Sequence, residues 1–192
     1  MLEKPFMTNE RALIEACIGN DRMAQRRLYE LYAGKLFVVA LRYVKNKEDA
    51  QDVLQIAFVK IFKSLDTFRF DCPFEPWLRK VIATTALKHL RDQPDLSQQI
   101  DIEKVQDDLG SCETTLSGFS YEELLGMIAK LPDGCRTVFN LYAMEGYQHD
   151  EISDLIGVSV GTSKSQYSRA KMLLQTMINK EQKYSDGTIR EI

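Results

Sequence analysis

The chain has 192 residues, 44% of them hydrophobic, which suits one ordinary domain or two small ones and excludes global disorder. No apolar run approaches the roughly 20 residues that span a bilayer, and the polar start, with Glu3, Lys4 and Glu10, lacks the apolar stretch of a signal peptide, so a cytoplasmic protein without membrane insertion is expected. The net charge of −3 conceals a segregation that leaves nucleic-acid binding open: residues 1–95 carry net +3, 96–125 carry net −6, and 126–192 balance.

Glycines and prolines punctuate long helical patterns and no strand-like alternation persists, so the expected fold is all-α. Thr8 is placed to cap a first helix that ends before Gly19 and Asn20. A second helix is expected over 21–44, with Leu28, Leu31, Tyr32, Leu36, Val39 and Tyr43 at helical spacing, and Asn46 breaks it. A third covers 48–65, with Val53, Ile56, Ala57, Ile61 and Leu65 near one face and Phe58 and Phe62 beside it. Residues 66–73 read as a loop and 74–91 as a fourth helix.

The character then changes. Residues 92–120 are acidic and polar, contain Pro94, Gly110 and Gly118, and show little periodicity beyond a short helical turn around 102–109. A structureless stretch of that length fits a linker better than the inside of a compact domain. Short helices follow over 121–131, 133–144, 149–156 and 160–178, separated by Pro132, Gly146 and Gly157, and 179–192 reads as a frayed end. The expected organisation is two small helical domains, 1–92 and 121–182, with an acidic flexible linker at 93–120 and a tail at 183–192.

Enzyme chemistry finds little support. Cys17, Cys72, Cys112 and Cys135 form no C-x-x-C, and the two histidines, His89 and His149, are far apart in sequence. No metal site, disulfide framework or cofactor is expected. No phosphate-binding glycine loop or nucleophile motif is present.

The run from Asp150 to Thr162 has the pattern of a helix-turn-helix, without a wing. Ile152, Leu155 and Ile156 form the inner face of one short helix, Gly157 supplies a left-handed turn residue, Val158 plugs the core and Ser159 caps the next helix. That next helix carries Thr162, Ser165, Gln166 and Arg169 on one side and Val160, Tyr167, Ala170 and Leu174 on the other. A helix exposing such residues in its first turns suits a major groove, where side chains read base edges and nearby cations hold phosphates. An ordinary helical hairpin with a solvated polar face is the alternative.

The run 152–170 closely resembles region 4.2 of extracytoplasmic-function sigma factors, and Leu131-Pro132 with 138–142 resembles region 4.1. Independently, 48–58 resembles region 2.2, and Phe68-Arg69-Phe70-Asp71 with 74–78 resembles regions 2.3 and 2.4. The two likenesses stand in the family's order with a linker between them, which a free-standing regulator using only the C-terminal fold leaves unexplained. Departures occur at Ser163, where the family usually has a branched apolar residue, at Gln166 (usually arginine), at Ile56 (usually glutamate), and at Thr84 and Lys88 (often Asn and Asp).

The resemblance implies a non-catalytic initiation factor. Its partners would be bacterial core RNA polymerase, promoter DNA and, as for many members, an anti-sigma protein. It assigns the −35 element to Thr162, Ser165, Gln166 and Arg169, with Lys164 and Lys171 nearer phosphates. On the third helix Asp49, Asp52 and Gln55 form an acidic polar stripe. By itself this stripe reads first as a solvated face, and the resemblance makes it instead the grip on the polymerase clamp helices. On the fourth, Lys80, Thr84, Lys88 and Arg91 gather on one side at ~100° per residue; such a basic stripe is more often just solvated, and the resemblance makes it the track for the non-template strand at the −10 element. The preceding loop, with Arg69, Phe70 and Asp71, would hold a base extruded from the duplex, with Trp77 beside it. Core packing is the open alternative for Phe70 and Trp77.

Overall fold

The computed structural model describes residues 5–44, 46–92 and 119–188, all of them helix or connection. The acidic segment 93–118, with the helical turn expected around 102–109 and Cys112, lies outside the described residues, as do residues 189–192. Two units are distinguished, Met1–Asp92 and Gln93–Ile192.

The first unit holds α1 (Pro5–Ile18), α2 (Arg22–Tyr43), α3 (Lys47–Ser64) and α4 (Phe74–Arg91), with a 3-10 turn at Leu65–Thr67. α1 begins at Pro5, so Thr8 lies inside the helix and does not cap it. Proline suits the first helical position, because its fixed φ is already helical and its missing N–H is one that the helix leaves unpaired there. α2 is capped by Asp21, whose carboxylate accepts from the Met23 and Ala24 N–H groups. α3 is capped by Asn46, whose side-chain oxygen accepts from the Asp49 N–H.

The core forms where the apolar stripes of α2, α3 and α4 meet. Leu28, Leu36 and Ala40 of α2, Ala50, Val53, Ala57 and Ile61 of α3, and Leu78, Ile82 and Ala86 of α4 are all fully buried. Each large aliphatic chain buried there contributes about 1.5–3 kcal/mol over leaving it in water. Two residues expected on these faces are not there: Leu31 is 55% and Ile56 47% exposed. Ile56 lies about 100° around the helix from Ala57, just beyond the buried stripe.

The second unit contains α5 (Tyr121–Ala129), α6 (Asp133–Phe139), α7 (His149–Ile156) and α8 (Val160–Thr188). α5 starts in a capping box, in which Ser120 and Glu123 satisfy each other's backbone N–H. α6 does not run as one α-helix to 144. It widens into a π-helical turn over Asn140–Met144, where the Glu145 N–H reaches the Asn140 carbonyl, five residues back, at 3.0 Å. α8 does not end at 178 but continues to Thr188. No glycine or proline interrupts it between Thr162 and Asp186, so each residue added gains a backbone bond without a new nucleation cost. Its inner face is held by Ala170, which packs with Leu131 and Cys135 against Phe139, Leu173 and Leu174.

Candidate nucleic-acid and partner interfaces

The expected acidic stripe on α3 divides in two. Asp52 and Gln55 are exposed, whereas Asp49 is half-buried and already engaged. Its carboxylate accepts from the Asn46 amide at 2.7 Å and lies 3.4 Å from His89 Nε2 on α4. Beyond Gln55 the same exposed face continues into Ile56 and Val59, 47% and 54% exposed. The stripe is therefore acidic at one end and apolar at the other.

On α4, Lys80, Thr84, Lys88 and Arg91 are all exposed, opposite the buried Leu78, Ile82 and Ala86. Thr84 donates its hydroxyl back to the Lys80 carbonyl at 2.9 Å, leaving oxygen lone pairs toward solvent. Lys60 of α3, which periodicity did not single out, donates to Thr85 Oγ1 at 3.0 Å. Burial, and secondarily the Lys88 charge, hold its pKa below the usual lysine value.

The loop between α3 and α4 is anchored by Phe68, 5% exposed, whose ring meets Phe70, Phe74 and Trp77 at 4.9, 5.1 and 5.5 Å. Trp77 is half-buried and stacks on Phe74 at 5.7 Å, so packing occupies one face of its indole. Phe70 is more exposed and adopts a left-handed backbone conformation, φ 58°. That conformation is costly for a residue with a bulky side chain. Its ring also meets the Arg11 guanidinium, 4.8 Å from the ring centre. Arg69 and Asp71 are exposed on either side.

In the second unit the turn forms as the glycine requires. Gly157 has φ 73°, and its N–H returns to the Ser153 carbonyl at 2.9 Å. Ser159 caps α8 by accepting from the Thr162 N–H at 2.9 Å. Lys164, Ser165 and Lys171 are exposed, and Thr162 and Arg169 are half-buried. Lys171 lies 5.1 Å from the Tyr167 ring centre.

Two placements in this unit depart from expectation, and one polar residue fills a buried position. Gln166 does not project freely: it is half-buried, its Oε1 accepts from Cys135 Sγ at 2.8 Å, and its amide group covers Gly134. Val160, expected inward, is 38% exposed. Ser163 is completely buried, and its hydroxyl lies 2.8 Å from His149 Nδ1. Sequence reasoning also passed over Arg136, 1% exposed, which pairs with Asp133 at 2.8 Å and donates to the Leu131 carbonyl at 3.3 Å. The i, i+3 spacing of Asp133 and Arg136 was the readable sign of that pair.

Comparison with known proteins agrees with both units. Residues 28–94 match the family model described as Sigma-70 region 2, and residues 118–174 match that described as Sigma-70, region 4. The chain is similar to the ECF RNA polymerase sigma-E factor of Haemophilus influenzae, 26% identical over 180 residues, covering 88% of this chain and 95% of that one. It is also similar to the RNA polymerase sigma-H factor of Pseudomonas aeruginosa, 29% identical over 173 residues, covering 84% and 90%. Among solved structures, the sigma factor RpoE of Bartonella quintana, in complex with the anti-sigma factor NepR, shares the fold. Its TM-score is 0.50 at 18% identity, covering 80% of this chain and 96% of that one.

Proposed function

The chain belongs to the extracytoplasmic-function group of the sigma-70 family, and from that premise we propose a division of labour for its helices. Members of this family are non-catalytic initiation factors, and this protein serves promoter recognition in transcription initiation. In the proposed division, α3 binds core RNA polymerase through Asp52 and Gln55, with Asp49 behind them. α8 reads the −35 element through Thr162, Ser165 and Arg169, while Lys164 and Lys171 hold phosphates. The 68–73 loop and the α4 stripe capture the melted −10 strand. Gln166 would reach DNA only after leaving Cys135.

The observation that carries this reading is the pairing, in one chain and in the family's order, of two different surfaces. One is a helix-turn-helix, suited to duplex. The other is a cationic helix face beside an exposed aromatic loop, suited to single strand. An anti-sigma protein is a further proposed partner, as NepR is for the Bartonella quintana RpoE. Work on polymerase and promoter also implies a cytoplasmic location, and no helix among the described residues is long and apolar enough to cross a membrane.

In-vitro transcription with core polymerase tests the whole: addition of this protein should direct initiation from a promoter that core enzyme alone ignores. Within it, Arg169→Ala tests the recognition helix. A lost bidentate base contact should cost about 1–3 kcal/mol of promoter binding and relax one position of the −35 element. Promoter binding and transcription equal to the parent's would remove α8 from that role.

A further inference from the structure

The second unit carries a polar pair where close packing would ordinarily be apolar. Ser163 sits inside the helix-turn-helix with no exposed surface, and its hydroxyl lies 2.8 Å from His149 Nδ1 at the start of α7. The imidazole is fixed in plane as well. It stacks on Tyr142 of the π-helical turn at 4.3 Å and 14°, and meets the Tyr167 ring of α8 edge-on at 5.9 Å. Tyr142 and Tyr167 contact each other at 4.5 Å. One histidine thus touches the π turn and α8 while itself belonging to α7. Its hydrogen bond lands between Thr162 and Lys164, two of the residues assigned to DNA.

We propose that His149 is a positioning residue for the recognition helix, acting through Ser163, and that its neutral form sets the orientation in which Thr162 and Lys164 meet the −35 duplex. The inference rests on the reading of α8 as the DNA-reading helix. Ser163 is the inward anchor of that helix, so its partner fixes the rotation of the two outward residues that flank it. In the neutral tautomer that carries its proton on Nε2, Ser163 donates to Nδ1. When the ring is protonated, Nδ1 becomes a donor and the hydroxyl must reverse.

The charged groups around the ring favour the neutral state. Burial and Lys164 of α8 lower the His149 pKa, and Asp150 of α7 opposes them more weakly. A histidine with a depressed folded-state pKa contributes stability that is fully present above its unfolded value of about 6.5. That contribution is lost as pH falls through the folded value.

The test uses the full chain assembled with core polymerase, on a promoter fragment, with affinity measured from about pH 8 to about pH 5.5. His149→Gln keeps a hydrogen-bonding side chain for Ser163 but removes the titration. The parent should lose severalfold more affinity on acidification than His149→Gln does. Equal pH profiles would overturn the proposal. So would a parent that gains affinity relative to the variant in acid, since that marks His149 as a phosphate contact.

Should His149→Gln fold poorly, amide spectra of the parent chain decide the matter. The Thr162 and Lys164 resonances must follow the His149 titration, and independence from it refutes the coupling. Arg169→Ala, assayed in parallel, separates the two levels. If that variant binds normally the reading of α8 fails, and the amide titration still judges the coupling.

Discussion

Asp49 and Asp52 stand one turn apart on α3, but their carboxylates have different work. Asp49 is held by the Asn46 amide and faces His89 of α4, while Asp52 is exposed. Replacing Asp49 with lysine would place a cation beside a histidine and the α3 cap, and would disturb folding and partner binding together. Asp52→Lys changes only the solvent-facing stripe. We therefore expect Asp52→Lys to weaken capture of core polymerase in a pull-down while its melting temperature stays at the parent value. Asp49→Lys should lower both. Full polymerase capture by Asp52→Lys would place the grip away from α3. Phe70 shows the same division within one residue: its left-handed backbone is a local cost of about 1–2 kcal/mol, and contacts with Phe68 and Arg11 offset it.

At the scale of elements, the helix-turn-helix depends on how α7 is connected to α8. The reversal is made by Gly157 in a left-handed conformation, and a Cβ there would meet nothing within 4 Å. The cost of Gly157→Ala is then purely conformational, roughly 1–2 kcal/mol. In calorimetry of the full chain, the transition of the unit carrying α5–α8 should fall by about 4–8 °C per kcal/mol. A melting temperature within a degree of the parent's would mean that the turn can be made another way. Upstream, the π-helical turn at Asn140–Met144 matters for a related reason. By inserting a wider turn it carries Tyr142 under His149 and Tyr167, so the aromatic cluster depends on a local departure from α geometry.

For the whole molecule, duplex reading and strand capture are assigned to different units, and they should fail separately. Phe70→Ala, or Lys80→Ala combined with Lys88→Ala, should leave closed-complex formation nearly intact but reduce promoter opening, seen as fewer permanganate-reactive thymines. Opening by the Phe70→Ala variant should partly recover on a promoter with a pre-melted −10 bubble, because the few kcal/mol of unpairing no longer have to be supplied. Mutants that open a paired promoter as well as the parent would leave these residues as packing or solvated surface.

The amino-acid sequence by itself determined the helices, the changes of composition between them and the turn at Gly157. These are set by local chemistry: 3.6-residue periodicity, breakers and a residue tolerant of positive φ. It also made the family legible, since the patterns in 48–58 and 152–170 are contiguous runs. Only the tertiary structure decided which polar side chains remain available. Gln166 and Ser165 are adjacent and chemically similar, yet one is tied to Cys135 and the other is exposed. Asp49 and Asp52 differ because His89 lies 40 residues further along the chain. The buried Ser163 finds its partner in His149, whose ring is held by Tyr142 from a turn that periodicity read as plain α-helix. A polar side chain's availability depends on partners distant in sequence, brought close when apolar stripes pack, and no local pattern encodes that distance.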